Sequence, residues 1–221
     1  MAIGILFLMA ACSSAPTPAV APSPKPTHTA GVIGNDGYRF TVIAPPAWKV
    51  STNGFFVIKE PPAPDPKYVI GLSVWDVGQV YRHPCHWLVG KFDPGPTVDD
   101  LVSALVAQPL RKATAPTSVR LAGYTARYLE LSVPSDLKSV ATNDFEGCDV
   151  DPSDGNRYFE GWTGRNGGDR YAQVPGQVDR VWVLDFNGQR LLVLATYTPA
   201  TTSTNRDELS HIAESLQFVK V

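Results

Sequence analysis

The sequence predicts an α+β domain in which a central antiparallel sheet is covered by helices on both faces, with a disordered N-terminal tether in front of it. The 18 glycines and 20 prolines among 221 residues favour many turns and little long helix, which indicates a β-rich chain. The strands predicted at residues 180–186 and 189–198 are apolar on successive positions at 181–184 and 191–194, so both faces of these two strands must be covered. Two segments with helical spacing, starting near Val98 and Thr204, are expected to cover them.

Further strands are predicted from alternating or β-branched runs bounded by turn-forming residues. These runs are residues 38–43, 55–59, 68–77, 119–121, 124–133 and 158–163. The pair Asn187-Gly188 separates the last two strands of the chain. Because both central residues of a type I′ turn need positive φ, such a pair between apolar runs predicts a hairpin. The last two strands are therefore expected to be antiparallel neighbours.

Each predicted helix has a recognisable start and one apolar side. Thr97 is suited to cap the first helix, and Asp99 and Asp100 follow in its first turn, where acidic groups are favourable. The apolar stripe of this helix consists of Val98, Leu101, Val102, Leu105 and Val106. The apolar side of the last helix consists of Leu209, Ile212, Ala213 and Leu216. Together the two helices predict a layer on each side of the sheet.

Composition bounds the organisation of the chain and its partners. A chain of this length that is 43% hydrophobic can bury one sizeable core, so a single globular domain is predicted at residues 37–221. The 19 basic and 21 acidic residues give a net charge of −2, with no basic cluster longer than Arg111 and Lys112. Phosphate binding needs a concentrated basic face. Nucleic acid is therefore not expected as a partner.

The N-terminal sequence predicts that the protein is located outside the cytoplasm. Residues 2–11 form an apolar run about half as long as a membrane-spanning helix, and the run typifies the apolar region of a signal peptide. It ends in Leu8-Met9-Ala10-Ala11-Cys12, which resembles the bacterial lipobox. Residues 1–11 are therefore predicted to be a lipoprotein signal peptide, and Cys12 is predicted to carry lipid. The expected partner is therefore the membrane. The lipid is predicted to anchor the protein at the outer face of the cytoplasmic membrane.

Residues 12–36 are predicted to form the lipidated cysteine and its tether. Of the eighteen residues 13–30, fifteen are serine, threonine, alanine or proline. Such a segment buries almost no apolar surface and favours extended conformations. It is expected to hold the domain away from the membrane.

Several runs in the folded part resemble a known family. They are Tyr38-Arg39-Phe40-Thr41-Val42, Pro45-Pro46-Ala47-Trp48, Ala122-Gly123-Tyr124 and Ser215-Leu216. Over residues 37–221 the chain resembles the PsbP-like fold and actinobacterial secreted lipoproteins of the LpqN type, a family of uncharacterised function. It is similar also to actinobacterial lipoproteins with versions of residues 84–87 and 175–180. The resemblance implies a PsbP-like α/β/α sandwich that binds or assembles, and it brings no catalytic residues.

Cys85 and Cys148 are the cysteines that remain once Cys12 is lipidated. An exported protein meets oxidising conditions, so a disulfide between them is predicted. A soft metal bound by His83, Cys85 and His86 is an alternative, as is a Cys85 nucleophile with a histidine base. His86 and Trp87, beside the cysteine and a loop, are predicted to line a recognition surface.

Two loops after Cys148 are weaker candidates for a site. Asp149, Asp151, Ser153 and Glu160 follow the spacing of a calcium loop, but Gly155 is one place late for its sharp turn. A solvated loop held by Cys148 is therefore preferred over calcium. The glycine-rich residues 161–168, with Arg157, Arg165 and Arg170 nearby, lack the strand-to-helix context of a phosphate cradle and are interpreted as hairpin turns with exposed charge.

The residues indicate a binding protein and not an enzyme. No serine, histidine and acid arrangement emerges from the spacing, and no catalytic residue, metal or cofactor is predicted. The expected function is a membrane-anchored module that binds a small ligand or an envelope protein. The alternatives are an extracytoplasmic hydrolase or metal-dependent enzyme that uses His83, His86 and the acidic loop, and a structural spacer.

Overall fold

The computed structural model describes residues 1, 27–33, 38–50, 56–59 and 70–220. The predicted signal peptide and Cys12 lie outside this part of the chain, so both stay predictions. The described residues contain two helices, α1 (Val98–Val106) and α2 (Ser203–Glu214), with a short 3-10 helix at Trp87–Val89. The strands are β1 (Thr27–Ile33), β2 (Tyr38–Ala44), β3 (Lys49–Val50), β4 (Phe56–Lys59), β5 (Ile70–Trp75), β6 (Val77–Tyr81), β7 (Lys91–Phe92), β8 (Lys112–Ala113), β9 (Thr117–Leu121), β10 (Tyr124–Ser132), β11 (Ser139–Ala141), β12 (Asp144–Phe145), β13 (Glu160–Gly164), β14 (Asp169–Tyr171), β15 (Val178–Phe186), β16 (Gln189–Tyr197) and β17 (Gln217–Lys220).

The centre of the fold is an eight-stranded antiparallel sheet. Its order is β3-β4-β5-β16-β15-β10-β8, and β9 pairs with the first half of β10, from Tyr124 to Tyr128. The longest pairing is the hairpin of β15 and β16, which runs from Val178 opposite Tyr197 to Phe186 opposite Gln189. Its turn residues Asn187 and Gly188 have φ of 53° and 90°. The hairpin predicted from this pair is confirmed.

Strands β15 and β16 contribute alternate residues to two separate cores. On one face, Leu184, Phe186, Leu191 and Val193 pack with residues of β2 and α2. On the other face, the intervening residues pack with α1, β6 and β13; they are Val181, Val183, Leu192 and Leu194. Since successive side chains of a strand point to opposite faces, the continuous apolar runs do mark a sheet covered on both sides.

The predicted α/β/α sandwich is nevertheless wrong, because the fold is mostly β and strands do much of the covering. Helices α1 and α2 have only nine and twelve residues. Beside α1, a four-stranded sheet of order β14-β13-β6-β7 covers the face, and beside α2 a three-stranded sheet of order β1-β2-β17 does so. An apolar face requires a cover, but helices and sheets both satisfy that requirement.

The predicted helix starts agree with the structure to within a residue or two. The hydroxyl of Thr97 accepts a hydrogen bond from the Asp100 backbone at 3.1 Å, and the Asp100 carboxylate accepts one from the Thr97 backbone at 2.9 Å. This reciprocal pair is a capping box. Helix α2 is capped by Thr202, whose hydroxyl accepts from the backbone of Asn205.

Two boundaries differ from the sequence-based expectation. The strand predicted at 68–77 is divided at Asp76, where the chain leaves the central sheet as β5 and enters the four-stranded sheet as β6. Strand β1 lies within the segment predicted as tether and pairs with β2 along its whole length. In the described residues, no helix has the length and apolarity needed to cross a membrane.

The predicted disulfide between Cys85 and Cys148 is present, with an S–S distance of 2.07 Å. It joins the segment after β6 to the segment after β12. The backbone N–H of Asp149 also donates to the carbonyl of Cys85 at 2.8 Å. Around the two sulfurs lies a third, smaller apolar cluster of Val133, Phe145, Phe159 and Ala172. The long loop between β10 and β13 is thereby held against the four-stranded sheet.

Replacement of both Cys85 and Cys148 by alanine is expected to lower the free energy of unfolding by about 4 kcal/mol, because the bond closes a loop between residues 63 positions apart. Urea unfolding of the full chain with and without reductant measures this loss. The Cys12→Ala variant is the control and should respond to reductant as the wild type does. A wild type whose stability is unchanged by reductant contradicts the prediction.

Candidate functional site

A cleft of about 330 Å³ opens where the central sheet meets β14. Its floor is built from alternate residues of three neighbouring strands, because side chains at i and i+2 lie on the same face of a strand. Phe56, Ser73 and Leu194 stand opposite one another in one cross-strand row, and Ile58, Gly71 and Thr196 form the next row. Trp75, Asn143, Asp169, Arg170, Tyr171 and Gln173 complete the lining.

The middle of this floor depends on Gly71. A Cβ at this position would lie 2.7 Å from the carbonyl oxygen of Val57 and 3.0 Å from the Cγ2 atom of Ile58. Backbone atoms cannot yield at that distance, so a larger residue would push β4 away from β5. Gly71 therefore permits the close approach of the two strands that carry the floor.

The apolar wall of the cleft is mainly aromatic. The rings of Phe56 and Trp75 make an edge-to-face contact with centroids 6.1 Å apart, and Trp75 makes a second such contact with the buried Trp162 at 6.0 Å. The Trp75 indole N–H donates to the hydroxyl of Ser73 at 2.8 Å. These contacts fix the ring of Trp75, so this wall is preorganised.

The polar wall is anchored by the carboxylate of Asp179 on β15, which is 1% exposed. Arg170 of β14 donates to it at 2.8 Å, and Arg111 donates to its other oxygen at 3.2 Å. Gln177 and Thr196 donate at 2.9 and 2.8 Å. Burial alone would raise the pKa of Asp179, but the two guanidiniums and the hydrogen bonds hold this pKa below its ordinary value. The carboxylate therefore stays ionised.

Arg170 is the member of this cluster that lines the cleft. The residue is only 9% exposed. Its terminal nitrogens donate to Asp179, to the hydroxyl of Thr196 at 3.0 Å and to the backbone carbonyl of Tyr171. Its Nε has no hydrogen-bond partner, and neither does the buried Oδ1 of Asn143. Both atoms are enclosed by the protein, so the polar part of the cleft lining that a ligand can reach is the remainder of the Arg170 guanidinium, together with Ser73 and Thr196.

Glu160 of β13 is a buried carboxyl near this cluster. It is 5% exposed, and its Oε2 has no partner. Burial, followed by the charge of Asp169, raises the pKa of Glu160 to about 8, although Lys91 opposes the rise. At neutral pH the group is therefore mostly uncharged and does not compensate a buried guanidinium.

The residues predicted for chemistry lie apart from the cleft, beside the disulfide. Nδ1 of His86 is 3.3 Å from a carboxylate oxygen of Asp149, and the backbone N–H of His86 donates to Nδ1 of His83 at 2.8 Å. Burial, followed by the charge of His86, lowers the pKa of His83. Cys85 is disulfide-bonded, so no thiolate completes the metal set with these histidines.

The two residues predicted to line a recognition surface differ in exposure, and that role stays a prediction. His86 is exposed, but Trp87 is half-buried and its indole N–H is enclosed without a partner. The next two residues, Leu88 and Val89, are 68% and 62% exposed. The Asp149 carboxylate accepts from the Leu88 backbone at 2.8 Å and so fixes the short 3-10 helix that presents them.

The four residues with calcium-loop spacing do not converge. The Asp149 carboxylate bonds to the 3-10 helix, and that of Asp151 accepts from both the backbone and the hydroxyl of Ser153. Glu160 is buried in the four-stranded sheet. Among the described residues, no group of three or more histidine, cysteine or acidic side chains is placed to hold a metal ion.

The cleft itself was not predicted from the sequence. Arg170 was interpreted as exposed charge in a hairpin and is instead buried, whereas Arg165 nearby has a half-exposed side chain. One signal was available, because Gln177, Asp179 and Thr196 lie in or next to strands that are otherwise apolar on both faces. Polar residues in such strands must find partners, and Arg170 is one of those partners.

Comparisons with known proteins add distant resemblances to solved structures. No family model and no curated protein sequence matches the chain. Among solved structures, the chain is similar to LpqN of Mycobacterium tuberculosis, which is described as involved in cell envelope biogenesis, with 15% identity, a TM-score of 0.43 and coverage of 88% of this chain and 91% of that one. It is also similar to PsbP (CyanoP) of Synechocystis sp. PCC 6803, with 13% identity, a TM-score of 0.38 and coverage of 93% and 98%. The resemblance to LpqN and PsbP stated from the sequence is confirmed, and overlaps of this size carry no functional conclusion.

Glu160→Gln is expected to remove a pH dependence from the stability of the domain. Because its pKa is raised from 4.5 to about 8 on folding, the folded state alone holds this proton between those values, and stability falls as the pH rises through that range. The whole effect is at most about 5 kcal/mol. Urea unfolding at a series of pH values from about 4 to about 9 measures it.

The matched control for this prediction is Glu146→Gln, which removes the same charge from an exposed position. That variant should keep the slope of stability against pH seen in the wild type. Equal slopes in the wild type and in Glu160→Gln would show that the carboxyl is not protonated in the folded state.

Proposed function

We propose that this chain is a lipid-anchored binding module of the cell envelope that holds a small ligand in the cleft between the central sheet and β14. The observation that carries the proposal is the lining of the cleft. An aromatic wall and a few convergent polar groups line a volume typical of small-ligand sites. The ligand would bond to the polar groups of the lining and cover the aromatic rings.

Binding without turnover is the function that this lining supports. The described lining contains no histidine and no cysteine. The hydroxyl of Thr196 donates to Asp179, whose carboxylate already accepts from two guanidiniums and therefore makes a weak base. The hydroxyl of Ser73 has the Trp75 indole as its partner and no base. A nucleophile with an activating base is thus not assembled by these groups.

The envelope location is supported by the sequence before the domain. The lipobox-like run that ends at Cys12 and the tether of small residues and prolines behind it are typical of bacterial lipoproteins. A lipid on Cys12 would place the cleft outside the cytoplasmic membrane. The ligand is then a molecule that is present in the envelope or enters it.

Cys12→Ala is expected to release the chain from the membrane, because the proposed lipid attachment site is lost. Fractionation of cells that express the variant should move the protein from the membrane pellet to the soluble fraction or leave an unprocessed precursor. Ser14→Ala is the control and should stay with the membrane. An N-terminal mass that shows an unmodified Cys12 in the wild type would contradict the proposed lipid anchor.

Ile58→Trp is expected to abolish ligand retention, because the larger side chain would fill the floor of the cleft. Purified wild type and variant are incubated with an organic extract of bacterial envelopes, and the retained molecules are released and identified by mass spectrometry. The wild type should retain a small molecule that the variant loses. Val140→Trp, at an exposed position on β11, is the control and should retain it.

Two outcomes of this experiment would count against the proposal. If Ile58→Trp retains the same molecules as the wild type, the cleft is not the binding site. If the wild type retains none above the background of an unrelated protein, the chain is not a small-molecule binding module of this kind.

A further inference from the structure

The buried cluster beside the cleft carries an excess positive charge. Two guanidiniums, those of Arg111 and Arg170, share the single carboxylate of Asp179. The side chains of Arg111 and Asp179 are 0% and 1% exposed, and that of Arg170 is 10% exposed. The sum of one negative and two positive charges is one uncompensated positive charge. Burying such a charge without a counterion costs several kcal/mol.

Neighbouring groups do not supply the missing negative charge. Glu160 is held mostly in its uncharged form at neutral pH by burial, as described above. Arg111 rests over the rings of Phe159 and Trp162 at 5.6 and 6.0 Å, and these contacts leave its Nε and Nη2 without hydrogen-bond partners. The aromatic faces attract the cation but do not neutralise it.

The acid that lines the cleft has its own partners. Asp169 accepts a hydrogen bond from the hydroxyl of Tyr81 at 2.9 Å and lies 3.9 Å from the ammonium of Lys91. Its side chain is 43% exposed. Solvent and Lys91 therefore screen this charge, whereas the guanidinium of Arg170 is nearly enclosed.

The polar wall also offers hydrogen-bond donors. Nη1 of Arg170 carries two protons and donates one to the Tyr171 carbonyl, so its second proton remains to be donated. The Ser73 oxygen accepts from Trp75, so its own proton remains available to donate. A ligand group that accepts from two donors and carries a negative charge fits this wall.

We propose that the ligand of the cleft is a monocarboxylate with an apolar ring or chain, and that Arg170 and Ser73 bind its carboxylate while Phe56 and Trp75 cover its apolar part. One negative charge balances the excess positive charge of the Arg111, Asp179 and Arg170 cluster. A carboxylate matches guanidinium geometry and accepts strong charge-assisted hydrogen bonds. This inference rests on the proposed function, since it assigns the ligand class of the same cleft.

A matched pair of probes tests the inference. The probes are 3-phenylpropanoate and 3-phenylpropanamide, which share one apolar body and differ in the charge of the head. Isothermal titration of each into the purified full chain should give a dissociation constant at least about tenfold lower for the carboxylate. Ile58→Trp should bind neither probe.

Arg170→Gln is expected to remove the preference for the carboxylate, so that the two dissociation constants come within about twofold of each other. Arg165→Gln is the matched control, because Arg165 lies in the turn just before the strand of Arg170, is half exposed and bonds to Asp76 instead of the cluster. It should keep the full preference. If Arg170→Gln does not fold, Ser73→Ala takes its place in the test. It removes one hydroxyl, leaves the charged cluster intact and should weaken carboxylate binding by about threefold to tenfold.

Two outcomes would overturn the carboxylate inference, and a separate experiment tests the proposed small-ligand binding. Equal affinity of the wild type for both probes overturns the carboxylate inference and leaves a neutral binding cleft. Absence of binding by both probes at millimolar concentration also overturns the inference. The retention of an envelope molecule by the wild type, and its loss in Ile58→Trp, then decides independently whether the cleft binds ligands.

Discussion

The position of the cleft depends on one buried carboxylate. Asp179 belongs to the central sheet, and its partner Arg170 belongs to the four-stranded sheet, so their ion pair joins the two sheets at one point. Thr196, on the floor of the cleft, bonds to both of them. Desolvation of these charges is expensive and is offset only when their geometry and hydrogen bonds are good. The cluster therefore fixes the polar wall relative to the floor.

The second constraint is the hairpin of β15 and β16, which requires a cover on both of its faces. Each face is covered by one short helix and one small sheet, so the domain contains two cores on opposite sides of a single sheet. The small sheet on the α1 side ends at β14. The cleft lies between β14 and the floor made by β4, β5 and β16.

Local signals were sufficient for some elements and insufficient for others. The Asn187-Gly188 turn and the Thr97 cap were predicted because the residues that form them are adjacent or three positions apart. Strands β13 and β14 have five and three residues, and β13 pairs with β6 across about eighty positions of chain. The composition of a short segment does not predict pairings between strands that are so far apart in the sequence. Arg170 was misassigned for the same reason, since its burial depends on a partner sheet and not on its neighbours in sequence.

The fixed geometry of the cleft bears on how it can achieve affinity. Its floor consists of cross-strand rows in a central sheet, and its walls are fixed by the Asp179 cluster and by the Trp75 contacts. A ligand would therefore order few protein groups on binding, and that saving favours affinity even for a small contact area. The apolar wall offers little discrimination between ligands of similar size, because one methylene group changes binding by only about 1–3 kcal/mol. If the cleft binds the proposed ligand, its selectivity would come from the polar wall, where a ligand that leaves Arg170 and Ser73 unsatisfied would lose binding energy.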